Sequence, residues 1–274
     1  MKRLLYSWFG FLFVIVASFF SCGVLILLLS KTDSSFSKWI STNHLTPLLF
    51  TDINSDSPNG LSKEEFLAEV RYLGNLKENV DLLEEGILLK IIAAFKAHPW
   101  VEKVSAMQRE GTNNLQVNLV FRKPCLIVPM LQANDQARVN ENYRVVDRNS
   151  IILPKNAIRI GLLTYYKAIP FPKGNAGTPW GNDEVLACAK VAGNVVDAIS
   201  LPKDCVIELK DDLIQLYADN NNFRVLWGRV FQGNSTLLLE TDKRKEILIE
   251  KYGNWVTAGM KNEFLLDLSM LVPH

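Results

Sequence analysis

The sequence predicts an α+β protein with a single N-terminal transmembrane helix, a βααββ module and then a mostly antiparallel β-domain with flanking helices. Three observations carry that prediction. Residues 4–29 hold no charge and are rich in Leu, Phe, Val and Ile. Two stretches of helical periodicity then run into an alternating apolar–polar stretch, Leu115 to Phe121. Beyond Pro124 the patterning is that of strands, broken by two helical segments.

The N-terminal run is the first element. At about 1.5 Å per residue it exceeds the roughly 30 Å hydrocarbon core of a bilayer. A cleaved secretory signal has an apolar region of only about 7–15 residues ending in small side chains, and Phe20-Ser21-Cys22 makes a poor lipoprotein cleavage site. Lys2 and Arg3 precede the run, whereas Lys31 and Asp33 follow it. The positive-inside rule then leaves residues 1–3 as a cytoplasmic tail and the bulk extracytoplasmic. Residues 30–50 read as a linker rich in Ser, Thr, Asn and Asp, although Trp39, Ile40, Leu48, Leu49 and Phe50 imply some packing. One strand is expected near Pro47 to Ile53, paired with the sheet of the later hairpin.

The next module is expected over residues 51–124. Ser62-Lys63-Glu64-Glu65 has the spacing of a capping box, and Phe66, Val70 and Leu73 share a helix face that ends at Gly74-Asn75. Asp81 and Glu84 suggest a second helix start, Leu88, Ile91, Ile92 and Phe95 continue it, and Pro99 stops it. A hairpin follows, from Val101 through the Gly111-Thr112-Asn113-Asn114 turn to Phe121. Pro124 cannot donate to a ladder, so the chain leaves the sheet there.

Residues 125–272 form the β-domain of the prediction. Cys125 to Leu131 reads as a strand, and Tyr143 to Pro154 as strand, turn, strand, with Asp147 to Ser150 supplying the turn. Ile160 to Tyr166 is apolar, a Pro/Gly-rich loop follows, and Asp183 starts a helix with Val185, Leu186, Ala189, Ala192 and Val196 on one face. Cys205 to Leu209, Leu213 to Ala218 and Phe223 to Trp227 are three strands. A helix from about Asn234 to Tyr252 carries Lys243-Arg244-Lys245-Glu246, a charge pattern suited to a solvated face. Glu263 to Val272 is the last strand.

This order resembles the FtsQ/DivIB family of bacterial cell-division proteins. The residues that carry the resemblance are Pro99-Trp100-Val101, the strand Leu115 to Phe121, and Arg122-Lys123-Pro124 as the exit from a POTRA domain. Further on, Tyr143-Arg144-Val145-Val146-Asp147 through Pro154 is similar to the family's Y-x-V-D hairpin, with Asn149-Ser150 where glycine is common. Leu226-Trp227-Gly228 and the closing Leu266-Asp267-Leu268-Ser269 complete the series, with Ser269 where the family has Arg. The family's V-x-G segment after the first strand has no counterpart here. The resemblance implies a scaffold of the divisome that localises to the septum, uses the POTRA region for recruitment, and binds partners of the FtsB/FtsL type through its last strand. The implied partner-binding residues are Tyr252, Trp255, Phe264, Leu266 and Leu268.

Several functions are disfavoured by composition. Thirty Lys and Arg stand against 29 Asp and Glu, giving a net charge of +1. A near-neutral chain has no broad attraction for nucleic acid. Four cysteines lie far apart without zinc-binding spacing, and Cys125, Cys188 and Cys205 read as small buried residues. Of the three histidines, His98 sits at a helix end and His274 ends the chain, so no metal set or triad forms. No nucleophile-elbow, zincin or phosphate-loop motif occurs. The sequence is therefore expected not to be an enzyme, and to need no cofactor, metal or small-molecule substrate. Two other classes remain open: a membrane-anchored POTRA-type chaperone or secretion component, and an anchored envelope hydrolase with carboxylates distant in the chain.

Overall fold

The computed structural model describes residues 47–110, 114–131, 142–218, 222–229, 241–260 and 262–269. From Leu48 onward the chain forms one compact unit. It begins with short strand β1 (Leu48–Leu49), a 3-10 turn (Phe50–Asp52) and β2 (Asn54–Ser55). Helix α1 (Lys63–Leu73), β3 (Asn79–Val80), helix α2 (Ile87–Ala97), β4 (Val101–Glu110) and β5 (Asn114–Phe121) follow.

The first helix forms where its local chemistry places it. Ser62 Oγ accepts from the Glu65 N–H at 3.2 Å, and the Glu65 carboxylate accepts from the Ser62 N–H at 3.1 Å, which satisfies two otherwise orphaned amides. Phe66, Leu67 and Val70 are its buried face, with Leu67 in place of the expected Leu73. At its end Asn75 takes the left-handed backbone, with φ 46°. Gly74 is required for a different reason: a Cβ there would lie 2.4 Å from Ala94 Cβ, so glycine lets α1 and α2 approach.

Helix α2 starts later than its charge pattern suggests. Asp81 Oδ1 accepts from the Leu83 N–H at 2.9 Å, closing a turn, and the helix begins only after Gly86 at φ 77°. It stops at Ala97 because His98, preceding Pro99, is extended at ψ 129°. The hairpin β4–β5 lies where expected, with irregular register near Val101 and Val104. The early strand does not pair as predicted. Leu48–Leu49 pairs antiparallel with Asn79–Val80, and it is Asn54–Ser55 that joins the hairpin sheet, parallel to Gln116 and Val117. Two helices over the sheet β2-β5-β4 enclose Phe50, Phe66, Ile91, Phe95, Leu115 and Val117.

The second part contains β6 (Leu126–Pro129), β7 (Tyr143–Val146), β8 (Leu163–Tyr165), α3 (Asp183–Val196), β9 (Val206–Lys210), β10 (Leu213–Ala218), β11 (Phe223–Arg229), α4 (Thr241–Thr257) and β12 (Phe264–Asp267). Among the described residues seven strands form one sheet, in the order β12-β11-β10-β9-β8-β6-β7.

The fold class read from the sequence is corrected in two places. The expected mostly antiparallel sheet is mixed: β6–β8, β8–β9 and β11–β12 are parallel, whereas β6–β7, β9–β10 and β10–β11 are antiparallel. For two of the parallel pairs the reason is a helical crossover, α3 between β8 and β9 and α4 between β11 and β12, which returns the chain in the same direction; for β6–β8 the chain makes its return through β7 and the segment after it. Among the described residues no helix is long and apolar enough to cross a membrane, so the described fold is α+β with four α-helices and no spanning element. The expected span, residues 4–29, lies outside the described residues.

Smaller corrections have local causes. Asn182, not Asp183, caps α3, its Oδ1 accepting from the Val185 N–H at 3.0 Å. In the Asp147 turn the left-handed residue is Ser150, at φ 54°, rather than Asn149. Ile160, expected at the start of a strand, is 91% exposed in a loop. Arg244, expected on a solvated helix face, is only 5% exposed, because its guanidinium lies against Gly228; a Cβ there would be 2.7 Å from Nη1. The β9–β10 turn follows its chemistry closely: Asp211 and Asp212 both have positive φ, 51° and 62°, as a two-residue hairpin demands.

Candidate interaction edge

The last strand, β12, is an edge strand. Among the described residues it pairs only with β11, in parallel register from Phe223↔Phe264 to Leu226↔Asp267. The Phe264 N–H donates to Asn222 O at 2.7 Å and the Leu268 N–H to Leu226 O at 2.8 Å. In a parallel ladder successive residues turn their N–H and C=O to opposite sides. Leu265 and Asp267 therefore present theirs to the open side, where no strand among the described residues pairs with them. Beyond them Asp267 Oδ1 accepts from both the N–H and the hydroxyl of Ser269, at 2.8 and 2.6 Å, which ends the strand in a tight turn.

The side chains implied as partner-binding do not line this edge. Phe264, Tyr252, Trp255 and Leu268 are buried, and Leu266 is half-buried, all on the face covered by α4. Phe264 stacks on Phe223 with centroids 5.3 Å apart, and Trp255 lies 5.2 Å from Phe264. The Trp255 Nε1–H donates to Asn262 O at 2.7 Å, and the Tyr252 hydroxyl donates to Ser200 O. These residues hold the strand in place. The side chain on the other face is Leu265, 65% exposed, which is not among the residues implied by the family resemblance. Its signal was present: Phe264-Leu265-Leu266 is apolar at both parities, as a strand covered on both faces would be.

The opposite edge of the sheet differs. Strand β7 is met by the returning chain, with a Val146↔Ile152 bridge and the Leu153 N–H donating to Val145 O at 2.8 Å. An unpaired edge is a template for another chain, so the contrast singles out β12.

The polar clusters elsewhere serve structure. Arg122 Nη1 donates to Asp147 Oδ2 at 2.8 Å, while Asp147 Oδ1 accepts from the Asn149 and Ile151 N–H groups at 2.9 and 2.8 Å. That carboxylate therefore shapes its turn and joins the two sheets. His98 is buried; its Nδ1 accepts from the Trp100 N–H at 3.3 Å, so Nε2 carries the proton given to Glu69 Oε2 at 2.9 Å. Burial holds its pKa below the ordinary value, against the opposing pull of Glu69. The Tyr165 hydroxyl donates to Glu184 at 2.7 Å and Lys167 approaches the same oxygen at 3.0 Å. Burial raises the tyrosine, while those two partners lower the carboxylate. Cys125, Cys188 and Cys205 are free and buried, and burial pushes both Cys188 and Cys205 up to about 12. Thiols so held are packing groups rather than nucleophiles. Among the described residues no group of His, Cys, Asp and Glu is placed to hold a metal ion.

A cleft of ≈ 570 Å³ lies between the two sheets, bounded by Asn59, Trp100, Val120, Lys123, Ile160 and Leu162 among others. Its described lining has no carboxylate, the group a glycoside hydrolase needs in a pair. No protein-family model matches the sequence, and no curated protein matches it.

Proposed function

We propose that this chain is a non-enzymatic scaffold of the bacterial division machinery, working at the septum on the outer side of the cytoplasmic membrane. It joins division proteins by contact, in the manner of the FtsQ/DivIB proteins its motifs resemble. In this reading β12 captures an extended segment of a partner of the FtsB/FtsL type as an eighth strand. The observation that carries it is the open edge at Leu265 and Asp267, placed beside an exposed leucine and backed by a buried aromatic cluster. Main-chain hydrogen bonds would supply affinity and Leu265 an apolar contact.

The test is a proline at the outward-facing amide. Leu265→Pro removes one donor from the open side and none from the β11 ladder, a position where an edge strand accepts proline. The expected result is loss of septal localisation of a fluorescent fusion and loss of co-purified division proteins, at unchanged thermal stability. Septal localisation and co-purification at parental levels in a folded Leu265→Pro chain would refute the proposal.

A further inference from the structure

We infer that the cleft between the two sheets is a second strand-docking site, built to take an extended peptide that carries apolar and acidic side chains, along the edge of β5. Strand β2 covers β5 only at Gln116 and Val117, after which the chain turns away through Ser57, Pro58 and Asn59. The remaining half of that edge faces the cleft. The Arg122 N–H donates to Trp100 O at 2.8 Å, and the Asn118 carbonyl accepts from Ser105 Oγ at 2.9 Å, so even-numbered positions turn toward β4. Leu119 and Phe121 therefore turn their N–H and C=O groups into the cleft.

The walls suit a peptide of one kind. Val120 is 42% exposed, Ile158 is exposed and Ile160 is 91% exposed, and together they form an apolar flank of the cleft. The charged residues of the lining are Arg122 and Lys123, and no acid stands among them. Arg122 has one nitrogen on Asp147 and Lys123 lies 3.4 Å from Asp197, yet the lysine side chain stays 70% exposed. At the base, Trp100 Nε1 and Arg122 Nε are buried donors with no hydrogen-bond partner among the described residues. Backbone edge, apolar flank and the exposed Lys123 ammonium together select an extended peptide alternating apolar with acidic residues. This site is separate from β12 and does not depend on the division reading.

The probe is a fluorescein-labelled peptide of alternating valine and glutamate, titrated against the full chain and followed by anisotropy. Saturable binding is expected, weakened at least about tenfold by Ile160→Glu and by Lys123→Glu, since both changes lie on exposed side chains and confront the acidic peptide. Backbone N-methylation of the peptide should weaken it equally, because strand addition uses main-chain donors. Leu265→Pro should leave it unchanged. Absence of saturable binding, equal binding of the N-methylated peptide or of a valine–lysine peptide, or loss of binding in Leu265→Pro would each overturn the inference.

Discussion

The two sheets are built on different principles. The three-stranded sheet rests on a hairpin whose strands are neighbours in sequence, and its first helix is capped by residues three positions apart. The seven-stranded sheet places Leu126 beside Leu163, and Thr164 beside Val206, pairings that span tens of residues, the second of them with α3 as its crossover. Local pairing closes short loops, whereas distant pairing must first overcome a larger loop-closure entropy. The larger sheet is therefore held by its core, and its stability concentrates where strands and crossover helices meet.

The largest effect is expected at that meeting point. Phe223 touches Phe264, Tyr252 and Trp255, so Phe223→Ala should cost about 3–5 kcal/mol, read as a lowered urea midpoint. A loss of under about 1 kcal/mol would mean that the cluster is not what holds β12 to the sheet. The next concerns the joint between the sheets. Asp147→Ala removes the partner of a mostly buried arginine together with two turn hydrogen bonds, and should cost about 3 kcal/mol. It should also split a single thermal transition into two, one for each sheet; a single transition in the variant would show that the packing of Trp100 with Val145, Leu153 and Ala157 suffices to couple them.

The smallest effect separates the sheets by pH. His98 belongs to the small one, and burial lowers its pKa from the ordinary 6.5. Because the folded state refuses a proton that the unfolded state accepts, His98 contributes stability above the ordinary value and loses it as pH falls through and below 6.5. The urea midpoint of the small sheet should therefore drop between about pH 7.5 and about pH 5.5, and His98→Gln should flatten that slope. An identical slope in the variant would remove His98 as its source.

How much of this was legible follows the same division. The capping box at Ser62, the stop at Pro99, the hairpin and the Asp147 turn were readable because each is decided by residues a few positions apart. The parallel pairings were missed although the strand–helix–strand order that produces them was on the page. The last strand was found, but its inward and outward faces were not separated: Phe264 and Leu268 pack into the core with the residues of α4, with Leu266 partly buried against the same cluster. The buried state of Arg244 depends on Gly228, a residue on another element, which no spacing within the helix could reveal.

By itself, the sequence determined where α1 begins, where α2 stops, where the hairpin and the Asp147 and Asp211 turns close, and that the chain carries near-balanced charge; these depend on backbone sterics, short-range hydrogen bonds and composition. Tertiary structure alone decided which strands lie side by side, which edge stays open, and which face of Phe264 to Leu268 meets solvent. Those outcomes depend on burying apolar surface between elements distant in the chain, and the energy of such burial belongs to the pair and not to either segment.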